Sequence, residues 1–280
     1  MENLPLNKDK ALILGGTGKT GKRIVKQLTD RGVAVRIGSR AQAPGFDWNN
    51  PHNWDEILSG MTSVYINYAP DLAIPGSATA IQLLMDHIAK NNIKRVVLLS
   101  GRGEDEAQHC ESLIQRPNID WTVVRASWFA QNFSEGAFAE MISRGAVTLP
   151  AGDVKEPFID IEDIVDVVVA ALTEPGHENK IYEVTGPRLL TFSQAIQEIA
   201  AATECNITYQ QITVAEFIHG AVQTGIPADI VWLLEYLFAT VLDGRNEYTS
   251  DGVQQALGRE PRDFSEFAAG MASTGSWKIA

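Results

Sequence analysis

An open, doubly wound parallel α/β sheet with a smaller, mainly helical C-terminal lobe is the architecture the sequence predicts. Three observations carry that expectation. Ala11-Leu12-Ile13-Leu14 is an unbroken apolar run, as in a strand buried on both faces of a parallel sheet. Gly15, Gly16, Gly18 and Gly21 follow at once, and then Ile24, Val25 and Leu28 at helical spacing. Apolar runs and helical periods go on alternating to residue 125, the pattern of successive βαβ units.

The glycine stretch is where this architecture acquires chemistry. A buried strand, a glycine turn and a helix N-terminus make an anion site, because unpaired backbone N–H groups and the positive end of the helix dipole face whatever lies above the turn. Gly15, Gly16, Thr17, Gly18, Lys19, Thr20 and Gly21 are therefore expected to hold the phosphates of a nucleotide. Gly15, Gly18 and Gly21 give the spacing GxxGxxG rather than GxGxxG. Gly18-Lys19-Thr20 also resembles the end of a P-loop, but that loop needs a glycine where Ile13 stands, inside the strand.

The following elements read in order. Residues 33–37 form a second strand ending at Gly38-Ser39-Arg40. At this strand end a dinucleotide fold meets the adenosine ribose, and an acid there selects NAD. The window holds Arg36, Ser39 and Arg40 and no acid; a guanidinium and a hydroxyl suit a 2′-phosphate, so the expected cofactor is NADP(H), with Ser39 and Arg40 as contacts. The plain alternative for Arg40 is a solvated loop charge. Residues 53–58 read as a short helix, 63–67 as a strand closing on Tyr68-Ala69-Pro70, 77–89 as a helix, and 93–99 as a strand ending at Ser100-Gly101. The acids and His109 between 103 and 111 are better explained by the first turn of a helix than by a metal. A strand at 120–125, a helix reaching Leu172, a strand from Lys180, a helix at 192–202 and a last strand at 207–212 precede a mostly helical tail. Within that tail 230–242 reads as one helix whose Val231, Trp232, Leu234, Tyr236, Leu237 and Phe238 either wall a cleft or are plain core. The expected division is a nucleotide-binding domain over 1–155, with 156–280 holding the remaining sheet elements and the C-terminal substrate lobe, interleaved.

Composition narrows the function. A net charge of −12 argues against nucleic acid as a direct partner, since phosphate backbones need a basic face. Two cysteines, Cys110 and Cys205, without a CxxC pair suit a reducing compartment. The first five residues show no basic region leading into an apolar run, and 230–242 is too short to span a bilayer. A cytoplasmic protein acting on a small molecule, as monomer or homodimer and without a membrane or a metal, is the expectation.

Taken together, Gly15 to Gly21, Gly38-Ser39-Arg40, Trp121-Thr122-Val123-Val124-Arg125, Trp128-Phe129 with Asn132, Phe158-Ile159-Asp160 with Asp163-Ile164, Thr185-Gly186-Pro187 and Leu257-Gly258-Arg259-Glu260-Pro261 resemble the NmrA-like branch of the extended short-chain dehydrogenases/reductases, a Rossmann-type fold. Gly15 to Thr20 and Phe46-Asp47-Trp48 are also similar to festuclavine dehydrogenases, which reduce an iminium. The resemblance implies that the glycine turn holds the pyrophosphate, that Tyr68, Ala69 and Pro70 meet the cofactor riboses, and that Trp128 and Phe129 lie near the nicotinamide; Asp47, Trp48 and Ser100 complete the expected cofactor contacts. One departure matters. Short-chain reductases use a Tyr-x-x-x-Lys pair to protonate a developing alkoxide, and none of the six tyrosines (65, 68, 182, 209, 236, 248) has a lysine four residues on. Where that pair would sit, the chain carries His109, Cys110 and Glu111. Ser100, Tyr68 and Glu111 remain as proton-donor candidates. The resulting expectation is an NADPH-dependent reductase of a small apolar or conjugated acceptor (iminium, quinone, azo or enone). The alternative is an NADP(H)-binding redox sensor acting through a protein partner without turnover.

Overall fold

A computed structural model describes residues 9–277; the segment 1–5, read above for a secretion signal, lies outside them. The first half contains β1 (Lys10–Leu14), α1 (Lys19–Asp30), β2 (Ala34–Gly38), α2 (Trp54–Leu58), β3 (Ser63–Ile66), α3 (Ser77–Lys90), β4 (Arg95–Gly101), α4 (Asp105–Ile114) and β5 (Asp120–Ala126). The second contains α5 (Ala137–Ser143), β6 (Ala146–Leu149), β7 (Lys155–Glu156), α6 (Ile161–Thr173), β8 (Lys180–Val184), β9 (Leu190–Thr191), α7 (Phe192–Thr203), β10 (Thr208–Gln211), α8 (Val214–Gln223), α9 (Ala228–Tyr236), α10 (Gly252–Leu257) and α11 (Phe264–Ser273).

The main sheet is parallel and six-stranded, in the order β2-β1-β3-β4-β5-β8. Chain order reverses direction at β1 and β3, so the carboxyl ends of these two strands flank the crevice where open α/β sheets bind ligands. Ala11 to Leu14, Val64 to Ile66 and Val96 to Leu98 are all buried, which is why these strands read as continuous apolar runs instead of alternating ones. Helices cover the sheet through stripes of the expected spacing: Ile24 and Leu28 on α1, and Ile81, Leu84, Met85 and Ile88 on α3.

The chain falls into two compact units: Met1–Arg125, Ile164–Tyr182 and Gln255–Leu257 in one, Ala126–Asp163, Glu183–Gln254 and Gly258–Ala280 in the other. The second unit is built on an aromatic core of Phe133, Phe158, Phe192, Phe264, Phe267 and Trp277, whose rings meet edge-on or tilted at 5.1–6.1 Å, the favoured geometry for their quadrupoles. It also holds two small sheets, parallel β10-β6 and antiparallel β7-β9, of whose strands only β10 is expected from the sequence pattern. Capping boxes start α7 (Thr191 with Gln194) and α8 (Thr213 with Glu216). The segment expected as one helix over 230–242 is instead α9 followed by a π-helical turn at Leu237–Val241. That turn buries Phe238 and leaves Trp232 stacked on Tyr236 near the surface, so the aromatic stripe divides between core and exposed face.

The residues of the later family motifs are ties within this unit. Asp163, fully buried, accepts from the Arg262 backbone at 2.7 Å and is ion-paired to Arg259 and Arg262. Thr185 Oγ1 accepts from the Ser250 backbone at 3.0 Å, and a side chain on Gly186 would run into the Phe158 carbonyl. Arg188 bridges Glu198 and Asp263, both at 2.6 Å, and Asp263 also accepts from the Ser265 backbone as the N-cap of α11. The Arg188 guanidinium, with the cap bonds, holds the Asp263 carboxyl well below the usual carboxylate range. A depressed folded-state pKa gives stability that is present above the unfolded value, about 4, and is lost as pH falls below it. Replacing Asp263 by Asn is expected to cost about 1–2 kcal/mol at pH 7, from a cap and a charge-assisted pair. In urea unfolding the deficit relative to the parent shrinks as the pH is taken below about 4.

Candidate functional site

The site in the first unit grows from the turn after β1. Gly15 takes φ +70°, and its amide donates to the Gly38 carbonyl at 3.0 Å, tying the turn to the end of β2. Gly18 donates to the Gly15 carbonyl at 2.9 Å and is the N-cap of α1. Gly21 is where glycine is compulsory: a Cβ there would come within 2.1 Å of the Gly15 carbonyl oxygen. Only without it does the first helical turn close against the strand, so that the N–H groups that no helix pairs internally sit over the strand end. Side chains of this stretch are used unevenly. Thr20 is buried and its hydroxyl accepts from Tyr65 at 3.0 Å, which leaves its backbone for an anion. Gly16 lies against Ile37, where a Cβ would come within 2.9 Å.

At the end of β2 the two arginines separate. The Arg36 guanidinium donates to the carbonyls of Ile57 at 2.7 Å and Ser59 at 3.0 Å, capping the end of α2. Arg40 is exposed. Between them the Ser39 hydroxyl is buried without any hydrogen-bond partner, a costly state for a polar group unless a ligand completes it. Asp47 accepts from the Asn49 backbone, and its own carbonyl accepts from the Trp54 indole, both at 3.0 Å. This loop presents Trp48, which packs on Phe46 and Trp54 and meets Tyr68 at a ring separation of 4.7 Å. Asn67, just after β3, packs its side chain on Gly15, so the loops after β1 and β3 touch. Ala69 and Pro70 are exposed beside them.

The expected proton donors are also placed. Tyr68 is half-buried, and burial raises its phenol above the ordinary value. Ser100, near the end of β4, donates to Glu111 on α4 at 2.7 Å. Glu111 is 2% exposed and takes a two-point bond from Arg125, at 2.9 and 2.5 Å; it is an acceptor in every one of these contacts. Sequence reasoning singled out neither Asn67 nor Asp71, which accepts from the Ala73 backbone at 2.8 Å beyond the end of β3, and it took Glu104, the N-cap of α4, as one of the acids that open a helix. Trp128 and Phe129 belong to the second unit, where Trp128 packs on Phe192 and Phe238, each at 5.3 Å, and Phe129 bridges to Ile159.

A glycine turn of this geometry at the switch point of a parallel sheet defines a dinucleotide-binding α/β protein. Residues 15–175 match the model of the NAD(P)H-binding family, and the chain belongs to that family. It is 30% identical over 279 residues to YesF of Bacillus subtilis (strain 168), an uncharacterized oxidoreductase, covering 96% of this chain and 97% of that one. It is also 30% identical over 276 residues to agroclavine dehydrogenase of Claviceps fusiformis, covering 92% and 96%. Among solved structures, an NADPH-dependent quinone oxidoreductase of Escherichia coli superposes with a TM-score of 0.77 at 18% identity over 93% of this chain and 99% of that one. The class is accordingly an NAD(P)H-dependent oxidoreductase.

The Glu111–Arg125 pair yields a stability test. Removing one partner of a buried ion pair costs about 3–5 kcal/mol because the other charge is stranded, whereas an apolar replacement of both is far milder. Glu111→Gln is expected to show a loss at the lower end of that range, because the amide still bonds Ser100. Glu111→Leu combined with Arg125→Met should recover most of it in equilibrium denaturation.

Proposed function

We propose that this protein is an NADPH-dependent reductase of small conjugated acceptors, of the iminium, quinone, azo or enone type, working in the cytoplasm. The observation that carries the cofactor reading is the end of β2: a buried, partnerless Ser39 hydroxyl next to an exposed Arg40, with no carboxylate between them. A 2′-phosphate would give the hydroxyl its acceptor and the guanidinium its counter-ion. NADPH supplies the hydride when bound. The chain's own contributions are backbone N–H groups between Gly16 and Gly21, other than that of Gly18, which donates to Gly15, for the pyrophosphate, Ser39 and Arg40 for the 2′-phosphate, and the Trp48–Tyr68 surface with Ala69 and Pro70 for the ribose side. Asp47 fixes the loop that carries Trp48, and Ser100 is held in place by Glu111.

The acceptor class follows from the missing Tyr-x-x-x-Lys pair. Carbonyl reduction needs a strong proton donor at the developing alkoxide. An iminium already carries the charge that hydride cancels, so orientation and exclusion of water supply most of the rate. The similarity to an agroclavine dehydrogenase, and the shared fold of a quinone oxidoreductase, support this range of acceptors.

Calorimetry with NADPH and NADH on the parent and on Arg40→Asp tests the cofactor assignment. The variant is expected to bind NADPH about ten- to a hundredfold more weakly, from losing one charge-assisted contact and gaining a repulsion, while NADH binding stays within about twofold. Equal losses for both coenzymes contradict it. Steady NADPH oxidation with an iminium, quinone and enone panel supports the enzyme; tight NADPH binding with no turnover anywhere in the panel favours the sensor.

A further inference from the structure

Helix α9 does not divide into the usual apolar and polar faces. Leu233 is buried, and Leu234 packs on the aromatic core of the second unit. The side of such a helix turned away from its core is ordinarily polar. On α9 that side carries two large rings instead. Trp232 is 40% exposed, and Tyr236, four residues on, lies parallel to it within 5°, ring centroids 5.4 Å apart. The rings are bordered by acids. Asp229 and Glu235 stand three residues before and three after Trp232, so helical spacing puts both beside it on the same face, and both are exposed.

The surrounding segment has the same sign. From residue 189 to 244 there is no lysine or arginine, while six acids occur. Glu198 is met by Arg188 at one end and Asp243 by Arg245 at the other. That leaves Glu204, Glu216, Asp229 and Glu235 without a lysine or arginine of their own segment, and His219 is its one histidine. The faces of Trp and Tyr rings carry the negative part of the ring quadrupole, and the two carboxylates on α9 reinforce it. A cation over these rings is attracted by both, and a flat conjugated cation stacks as well. A second copy of the chain would bring an identical negative face and a net charge of −12, which opposes pairing there. A neutral apolar partner would strip water from the carboxylates without offering a counter-charge.

We propose that the Trp232–Tyr236 face of α9 binds planar aromatic cations, and that it thereby favours iminium ions over neutral quinones, azo compounds and enones as acceptors. The second half rests on the reading under Proposed function; the first half does not. Hydride from NADPH adds to the iminium carbon, the π electron pair returns to nitrogen, and NADP⁺ remains. The reduced carbon becomes tetrahedral and the conjugation through it ends, so the product stacks less well than the acceptor.

The binding half is tested by calorimetry on the full chain at neutral pH without cofactor, using 9-aminoacridinium as the planar cation and acridine, uncharged at that pH, as its neutral counterpart. The cation is expected to bind about tenfold more tightly than acridine, with the difference narrowing as salt is raised. Trp232→Leu, at an exposed position, should weaken the cation about tenfold. Glu235→Lys keeps both rings and should weaken the cation by a similar factor while acridine stays within about twofold. Equal affinity for the two compounds, no effect of either variant, or a parent dimer that Trp232→Leu dissociates in sedimentation overturns the proposal. The acceptor half is read from NADPH oxidation with one cyclic aromatic iminium and one quinone. In Trp232→Leu the ratio of their kcat/KM values should fall about tenfold against the iminium, through its KM; an unmoved ratio overturns that half. If the parent reduces neither compound, the reductase reading and the acceptor half fail together, whereas the calorimetry, which needs no cofactor, still decides the binding half.

Discussion

The first unit depends on the contact between Gly21 and the Gly15 carbonyl. An α-carbon hydrogen is all that fits there, and that intimacy sets the distance between the start of α1 and the end of β1. The consequences spread outward. Gly18 can cap α1 while donating back to Gly15, Gly15 can bond Gly38 at the end of β2, and Asn67 can close over the turn from β3. Three strand ends are thereby fixed around one set of backbone donors. The strength of an anion site of this kind comes from dipoles that need not reorganise when the charge arrives, so the rigidity of the glycine turn is itself the functional property.

That constraint was legible in the chain because it is local. GxxGxxG between an apolar run and a helical period names strand, turn and helix together, and the buried strands announce themselves through composition. What the sequence could not show is which side chains are already engaged. Arg36 and Arg40 are four residues apart and chemically alike, yet one caps α2 through carbonyls that lie twenty-one and twenty-three positions away and the other is exposed. Thr20 looks like a phosphate ligand and is turned inward to Tyr65. The short strands β6, β7 and β9 escaped for a different reason: two to four residues are too few to establish a period of two, and their pairing is decided by partners in distant segments.

The later motifs show how a resemblance and a physical reading differ. Thr185-Gly186-Pro187, Asp163 and the Arg259–Arg262 region mark the family, but within the second unit they bind one segment to another. Thr185 meets Ser250, Gly186 lies on Phe158, and Asp163 joins both arginines. Each of these contacts spans sixty or more residues or lies where a side chain cannot fit, so they hold the long excursions of the unit to its aromatic core. A motif of this kind reports that the fold is built in a certain way, and activity has to be read elsewhere.

Where activity is read is in the treatment of charge at the strand ends. Glu111 receives donors from Ser100 and Arg125, whereas Glu104, at the N-cap of the same helix, is left with a partnerless oxygen. Both are buried carboxyl groups on the same connection after β4. If the fold needed only to tolerate buried acids, the solution applied to Glu111 would serve for both, because an unsatisfied buried oxygen is a standing cost to stability. The connection after β4 thus treats two buried acids in opposite ways, one met by a guanidinium and the other left with an oxygen unsatisfied inside the fold, and it is at the second that the structure keeps a standing cost.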